Sequence, residues 1–436
     1  MKTMIEQDDF KYYRMGLGIV MVWNPFPLIF TIRDGLRVGG GSTFTLAFIV
    51  LGLFLIFPLN IFKKIELPNM TLFFFWFSFV VLALIYMLYY PSIHYNYRSQ
   101  LIKEILTYLF PVLFLIGMMY YPNDKADKIL LVILLYSIVG SLGLIWGIMH
   151  DPNWHLGERA AIKFAASNEG SNPHAFANNA LYGILSALIL VSKSKNIVYE
   201  IVCYVAVFFC LVIIVLCRTN TSILCLGVFG FIYTILHFKQ IVINTFKVRS
   251  LVILGVFIVA ISWAIRQFSG IAGIIQSYYE TSNKRLVNLA YTVSGAKLSN
   301  NQIVETDISS VTRVYSYNYA KSMFTDGRWT DILVGEGYKS QFLDVPFLEA
   351  LTNHGIIGFL LFILFFITLM SISFTQIIRP SNGLSLFLGY FSIVSLLSAT
   401  SGSRPVDMGT WIVYVMFIRF LGISYNKNTT NGSVLS

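Results

Sequence analysis

Residues 128–149 read KILLVILLYSIVGSLGLIWGIM. Only the first of them is charged, and a helix rising about 1.5 Å per residue carries such a run across the ~30 Å hydrocarbon core of a bilayer. Similar apolar runs occupy 15–32, 42–62, 68–90, 100–121, 175–192, 197–217, 220–237, 250–268, 355–374, 384–400 and 408–424, which predicts about twelve spans in all. The 436 residues are 56% hydrophobic, 16% aromatic and only 12% charged, with a mean hydropathy of +0.70. A soluble fold has too little interior for that much apolar surface, so the solvent is lipid. The fold class expected is an all-α polytopic membrane protein, with residues 1–436 forming a single integral membrane domain.

The loops between these runs alternate sides, and their cations orient them. One set holds Lys2, Lys11, Arg14, Lys63, Lys64, Lys125, Lys128, Lys193, Lys195, Lys239, Lys247, Arg249 and Arg379. The short loops of the other hold Arg33, Arg37, Arg98, Arg159, Lys163, Arg218 and Arg404. The richer set predicts cytoplasmic termini, with 150–174 and 269–354 outside. No small-residue cleavage site follows 15–32, so the first span is expected to stay. The net charge of +10 does not imply nucleic acid, because about half of the cations have a topological reason to be where they are. Cys203, Cys210, Cys217 and Cys225 all fall in spans, where packing thiols are expected and no disulfide framework is implied. Asn24-Pro25-Phe26-Pro27 interrupts the first span and must bend it or line a cavity.

The stretch 269–344 interrupts the series of apolar runs, and long loops on a helical scaffold carry function. Its charges balance, so their placement matters more than their sum. Residues 311–324 can be written as a helix with Val311, Val314, Tyr315, Tyr319 and Met323 on one face and Arg313, Tyr317 and Lys321 on another. Thr325-Asp326-Gly327 and Gly335-Glu336-Gly337 mark turns. Asp344, Leu348, Leu351 and Gly355 then share a helical face leading into the next span. Arg218 sits in a four-residue turn between two apolar runs, where an unpaired cation is costly; a fixed anion or a lipid headgroup would meet it.

Thr312-Arg313-Val314-Tyr315, Gly335-Glu336-Gly337, Asp344-Val345-Pro346-Phe347-Leu348-Glu349-Ala350-Leu351 and Gly355-Ile356-Ile357-Gly358 follow one another in this order. The pattern resembles the shared signature of the O-antigen polymerase (Wzy) and O-antigen ligase superfamily. There an outer-loop Arg precedes a Gly-x-Gly turn and a helix that opens on a polar residue and ends Gly-Ile-x-Gly. The resemblance extends to Arg218 at its tight turn and to Arg159, with Gly170 and Asn172-Pro173 after it. Ligases carry a His where this chain has Asp344, which favours the polymerase branch; His354, ten residues on, is not that His.

The resemblance implies a GT-C-like glycosyltransferase bundle in the bacterial inner membrane, with 150–174 and 269–354 in the periplasm. It implies transfer of a growing glycan from one undecaprenyl diphosphate carrier to the incoming lipid-linked repeat unit. Besides donor, acceptor and membrane lipids, the partners implied are a chain-length regulator and a flippase. The leaving diphosphate needs cations, for which Arg159, Arg218, Arg313 and, more weakly, Arg404 are the candidates. The acceptor hydroxyl needs a carboxylate, first Asp344 and then Glu336. Trp154, His174, Tyr317 and Trp329 are candidate glycan contacts, although an interfacial belt explains the aromatics equally well. No outer loop has Asp/His spacing suited to a divalent metal, so no cofactor is expected and Lys and Arg replace the metal. Competing readings are a ligase, a transporter, which would carry mid-membrane ionisable residues, and a non-catalytic member of an export complex.

Overall fold

The computed structural model describes residues 2–58, 65–91, 100–155, 158–163, 171–194, 196–245, 262, 276 and 308–423. The ninth expected span, 250–268, lies outside them except at residue 262, as do residues 277–307 of the large loop and Gly170. The described residues are helical and contain no strand. The helices are α1 (Lys2–Trp23), α2 (Phe26–Ile29) with a π-helical continuation (Phe30–Gly35), α3 (Gly41–Ile56), α4 (Met70–Tyr89), α5 (Leu101–Met119), α6 (Lys128–Met149) and α7 (Pro173–Lys193). After these come α8 (Ile197–Cys217), α9 (Asn220–Thr245), α10 (Ile308–Thr325), α11 (Trp329–Val334), α12 (Pro346–Ile378), α13 (Gly383–Ser401) and α14 (Met408–Phe420).

Six of them, α4 to α8 and α12, are long and apolar enough to cross a membrane; α3, α13, α14 and the 221–236 part of α9 are shorter apolar helices. Their starts are written in the sequence. Asn69, Asn172, Asn196, Asn382 and Asp407 each turn a side-chain oxygen onto a backbone amide of the first turn of α4, α7, α8, α13 and α14, satisfying donors that a helix start leaves unpaired.

The first span does not run straight. Pro25 and Pro27 remove two amide donors, and the chain bends by 82° between α1 and the Phe26–Gly35 segment. Asn24 Nδ2 donates to Asn179 Oδ1 (2.8 Å), and Asn179 Nδ2 donates to the Ser137 carbonyl (3.0 Å), so the bend is tied to α7 and α6. Gly143 of α6 makes room for the bent segment: a Cβ there would lie 2.1 Å from Thr31 Oγ1. In lipid such small-residue contacts and buried polar ties hold helices together, because moving apolar faces from lipid into protein contributes little. Trp23 stacks on Tyr182 at 4.7 Å between the edges of Phe387 and Phe391. All four cysteines are buried and free.

The bundle has two unlike ends. One gathers the turns after α6 and α8, the starts of α7 and α12, and the α13–α14 turn; it is termed the loop end. The other holds the N-terminus and the α5–α6 and α12–α13 turns.

Candidate functional site at the loop end

The Gly335-Glu336-Gly337 turn and Gly355 make one structure. α12 breaks at Gly355 (φ 64°, ψ −167°), which frees carbonyls of the preceding turn. The amide of Glu336 takes the Thr352 carbonyl (2.7 Å) and that of Gly337 takes the Asn353 carbonyl (3.3 Å). The two backbones nearly touch: a Cβ on Gly335 would lie 2.6 Å from the Gly355 nitrogen, and one on Gly355 would lie 2.4 Å from the Leu333 oxygen. Only glycine fits both places, which explains the spacing of the motif.

The chain that follows is fixed by side chains of α12. Asn353 Oδ1 accepts from Ser340 Oγ (2.7 Å) and the Gln341 amide (3.0 Å). Glu349, almost fully buried, splits its oxygens between the Leu343 amide (3.1 Å) and Arg404 Nε (2.8 Å). Arg404 lies over the Phe342 ring at 4.9 Å. Asp344 comes next. Its amide donates to Ser316 Oγ (2.9 Å), and its Oδ2 accepts from Thr312 Oγ1 (3.0 Å) with Arg313 Nε at 3.8 Å. Asp344 therefore precedes α12, which starts at Pro346, and does not share a helical face with Leu348 and Leu351; proline at the first helical position sets the start.

The expected helix over 311–324 is present as α10, with its inward face rotated from the expected one. Ser316, Ala320 and Met323 are buried, while Tyr315 is 52% exposed. The Ser316 hydroxyl is needed by Asp344, and small side chains let α10 approach closely. Tyr317 and Trp329 are exposed. Glu336 is engaged by the Tyr319 hydroxyl (2.7 and 2.9 Å) and by Arg328 Nη2 (2.7 Å). Burial, with Glu336 alongside, pushes the Tyr319 hydroxyl above its ordinary pKa, which keeps it a donor.

A second group lies at the α8–α9 turn. Arg218 caps α8 in the left-handed conformation (φ 50°) and is half-buried. Arg159 donates from Nε to the Cys217 carbonyl (3.2 Å) and approaches His174 Nε2 with Nη2 (3.3 Å). The loop end thus gathers Arg159, His174 and Arg218 in one cluster and Arg313, Asp344, Glu336 and Arg404 in another. Trp154 packs against the apolar core, joining neither cluster.

Between them lies a cavity of about 1510 Å³, beyond the ~300–1,000 Å³ of most small-molecule sites. Asn172 and Ala175, either side of His174, line it, as do Gly402 and Ser403 beside Arg404. A Cβ on Gly402 would lie 3.8 Å from Asp344 Oδ1, so the carboxylate stands behind the Gly402 wall; none of Arg159, His174, Arg218, Arg313, Glu336, Asp344 and Arg404 lines the cavity itself. Deeper walls come from Val22, Trp23, Ile49, Phe110, Tyr182 and Tyr414. The expected bend at Asn24–Pro27 both kinks the span and lines this cavity.

One wall is held by charges that sequence reasoning did not single out. Glu104 of α5 is fully buried and accepts from Lys339 Nζ (2.7 and 2.9 Å) and the Tyr338 hydroxyl. Burial pulls the Lys339 ammonium below its ordinary pKa and Glu104 opposes that; burial first, then Tyr108 and Glu104, raises that of Tyr338. Glu104 lay unremarked inside the apolar run 100–121 and Glu349 inside a motif, since their partners stand 235 and 55 residues away. Among the described residues no group of His, Cys, Asp and Glu is arranged to hold a metal. No model of a known protein family matches the chain, and no characterised protein matches it significantly.

Proposed function

We propose that the chain is a glycosyltransferase of the O-antigen polymerase (Wzy) kind, joining undecaprenyl-diphosphate-linked oligosaccharide repeat units at the outer face of the bacterial inner membrane, with both termini cytoplasmic. The observation that carries this reading is the Asp344–Arg313 pair directly behind Gly402, a residue that lines a large, apolar-walled cavity. A hydrocarbon carrier would occupy the cavity while its diphosphate and sugars reach the polar rim. Asp344 Oδ2 is engaged by Thr312 and Arg313, and Oδ1 faces Gly402.

In this mechanism the acceptor hydroxyl attacks the anomeric carbon of the lipid-linked glycan. Its proton passes to Asp344, the new C–O bond forms, and the bond from the anomeric carbon to the diphosphate oxygen breaks. The electron pair leaves with the lipid diphosphate, whose charge Arg313, with Arg159 and Arg218 across the cavity, would stabilise. Arg404, already paired with Glu349, would position residues 341–344, and Glu336 would anchor α10 and α11. Asp344 is thereby preferred to Glu336 as the base.

The test is a chain-length ladder made by purified protein in nanodiscs from lipid-linked repeat units. A ladder lost in Asp344→Asn supports the reading. Glycan transfer to added lipid A core without a ladder would instead make the protein a ligase.

A further inference from the structure

The cavity has a side door. α3 and α5 touch at the far end of the slot, where a Cβ on Gly117 would lie 2.9 Å from Ile56 Cγ2 and Phe57 faces Tyr120 at 6.4 Å. Toward the loop end their cavity-lining residues become exposed: Leu46 is 41% and Ile102 is 77% exposed, whereas Ile49 and Phe110 are buried. The two helices therefore form a V that opens sideways. Gly39, Gly40 and Gly41, all at positive φ (79°, 91° and 52°), let the chain leave the bent segment and start α3 away from α5.

The slot suits a lipid of one leaflet. Its lining on α5 runs from Gln100 to Phe110, or about 15 Å at helical rise, which is half of the ~30 Å hydrocarbon core. Its polar end carries cations: Lys103, exposed and without an ion pair among the described residues, and Arg33, paired with Asp34 (2.7 Å). Its closed end is aromatic and aliphatic.

We infer that the α3–α5 slot is a lateral binding site for a polyprenyl chain, with Lys103 holding the anionic phosphate at its mouth. The preference for an isoprenoid over a diacyl lipid rests on the polymerase reading; the slot and its charge do not. Lys103 was not among the candidate residues, and its position on α5 beside buried Glu104 places the phosphate next to the wall that Lys339 ties to the Gly337 turn.

Irradiation of the protein in phosphatidylcholine nanodiscs with a decaprenyl phosphate bearing a diazirine in its chain, followed by mass spectrometric mapping, tests the site without any acceptor. Labels should fall on Leu46, Ile49, Ile102 and Leu106 and be displaced by excess decaprenyl phosphate but not by phosphatidylglycerol. Lys103→Ala should raise the half-saturating probe concentration about ten-fold, the loss of one charge-assisted hydrogen bond, and Lys103→Arg should restore it. Labelling confined to lipid-facing Phe54, Phe74 and Phe77, equal displacement by phosphatidylglycerol, or no effect of Lys103→Ala would overturn the inference. Slot labelling with no ladder in the polymerisation assay would leave the site standing and the polymerase reading fallen. A ladder with labels elsewhere would do the reverse.

Discussion

The two ends of the bundle both engage arginine, and they use it differently. At the end that holds the N-terminus, Arg419 is fully buried and donates to the Met118 carbonyl (3.0 Å), the Tyr121 carbonyl (2.5 Å) and Asn123 Oδ1 (2.8 Å). It caps the end of α5, saturating acceptors that a helix terminus leaves open. Around it Lys128 meets Asp9 and Lys193 meets Asp127, whose other oxygen takes the Leu384 amide, so charges there fasten helix ends to one another. At the loop end Arg313 and Arg404 face the carboxylates of Asp344 and Glu349 beside a cavity. A fully buried cation with its donors spent on fixed acceptors is structural; a partly exposed cation beside a cavity can be traded to a bound anion.

The contrast can be broken by substitution. The largest effect expected is on turnover: Asp344→Asn should lower the elongation rate by about 10²- to 10⁴-fold, the usual loss of a general base, with an unchanged melting temperature in detergent. Next comes stability at the loop end. Arg404→Ala leaves Glu349 buried without its cation and should cost about 3–5 kcal/mol; adding Glu349→Gln should recover part of that in a double-mutant cycle read by denaturation. Arg419→Ala should cost about 2–3 kcal/mol by stranding buried carbonyls, while the rate per folded molecule stays near the wild-type value. The smallest effect belongs to Lys193→Ala, whose half-exposed pair with Asp127 contributes at most about 1 kcal/mol, visible as a slight and salt-sensitive shift in melting.

Much of the scaffold was legible in the sequence because its physics is local. Apolar runs of membrane length and the double proline at 25 and 27 each act within a few residues. The helix over 311–324 was legible for the same reason. Its inward face was not, since Ser316 faces in to accept the amide of Asp344, 28 residues on, and no periodicity records that need. The glycine at 335 reads as a turn and that at 355 as part of a helical face, but the break of α12 at Gly355 and the contact between the two glycines belong to the tertiary fold. Glu104, Glu349 and Lys103 were missed on similar grounds: a lone charge in an apolar run shows nothing of its role until its partner, or the cavity beside it, is placed.

The comparison between the ends is tested most directly by one assay. Wild-type protein, Arg313→Ala and Arg419→Ala, each in nanodiscs at equal folded amounts, are given undecaprenyl-diphosphate-linked repeat units, and chain length is resolved on a gel. The ladder should vanish in Arg313→Ala and persist in Arg419→Ala. A ladder that survives in Arg313→Ala, or one lost equally in both, would contradict the division between a structural and a functional end.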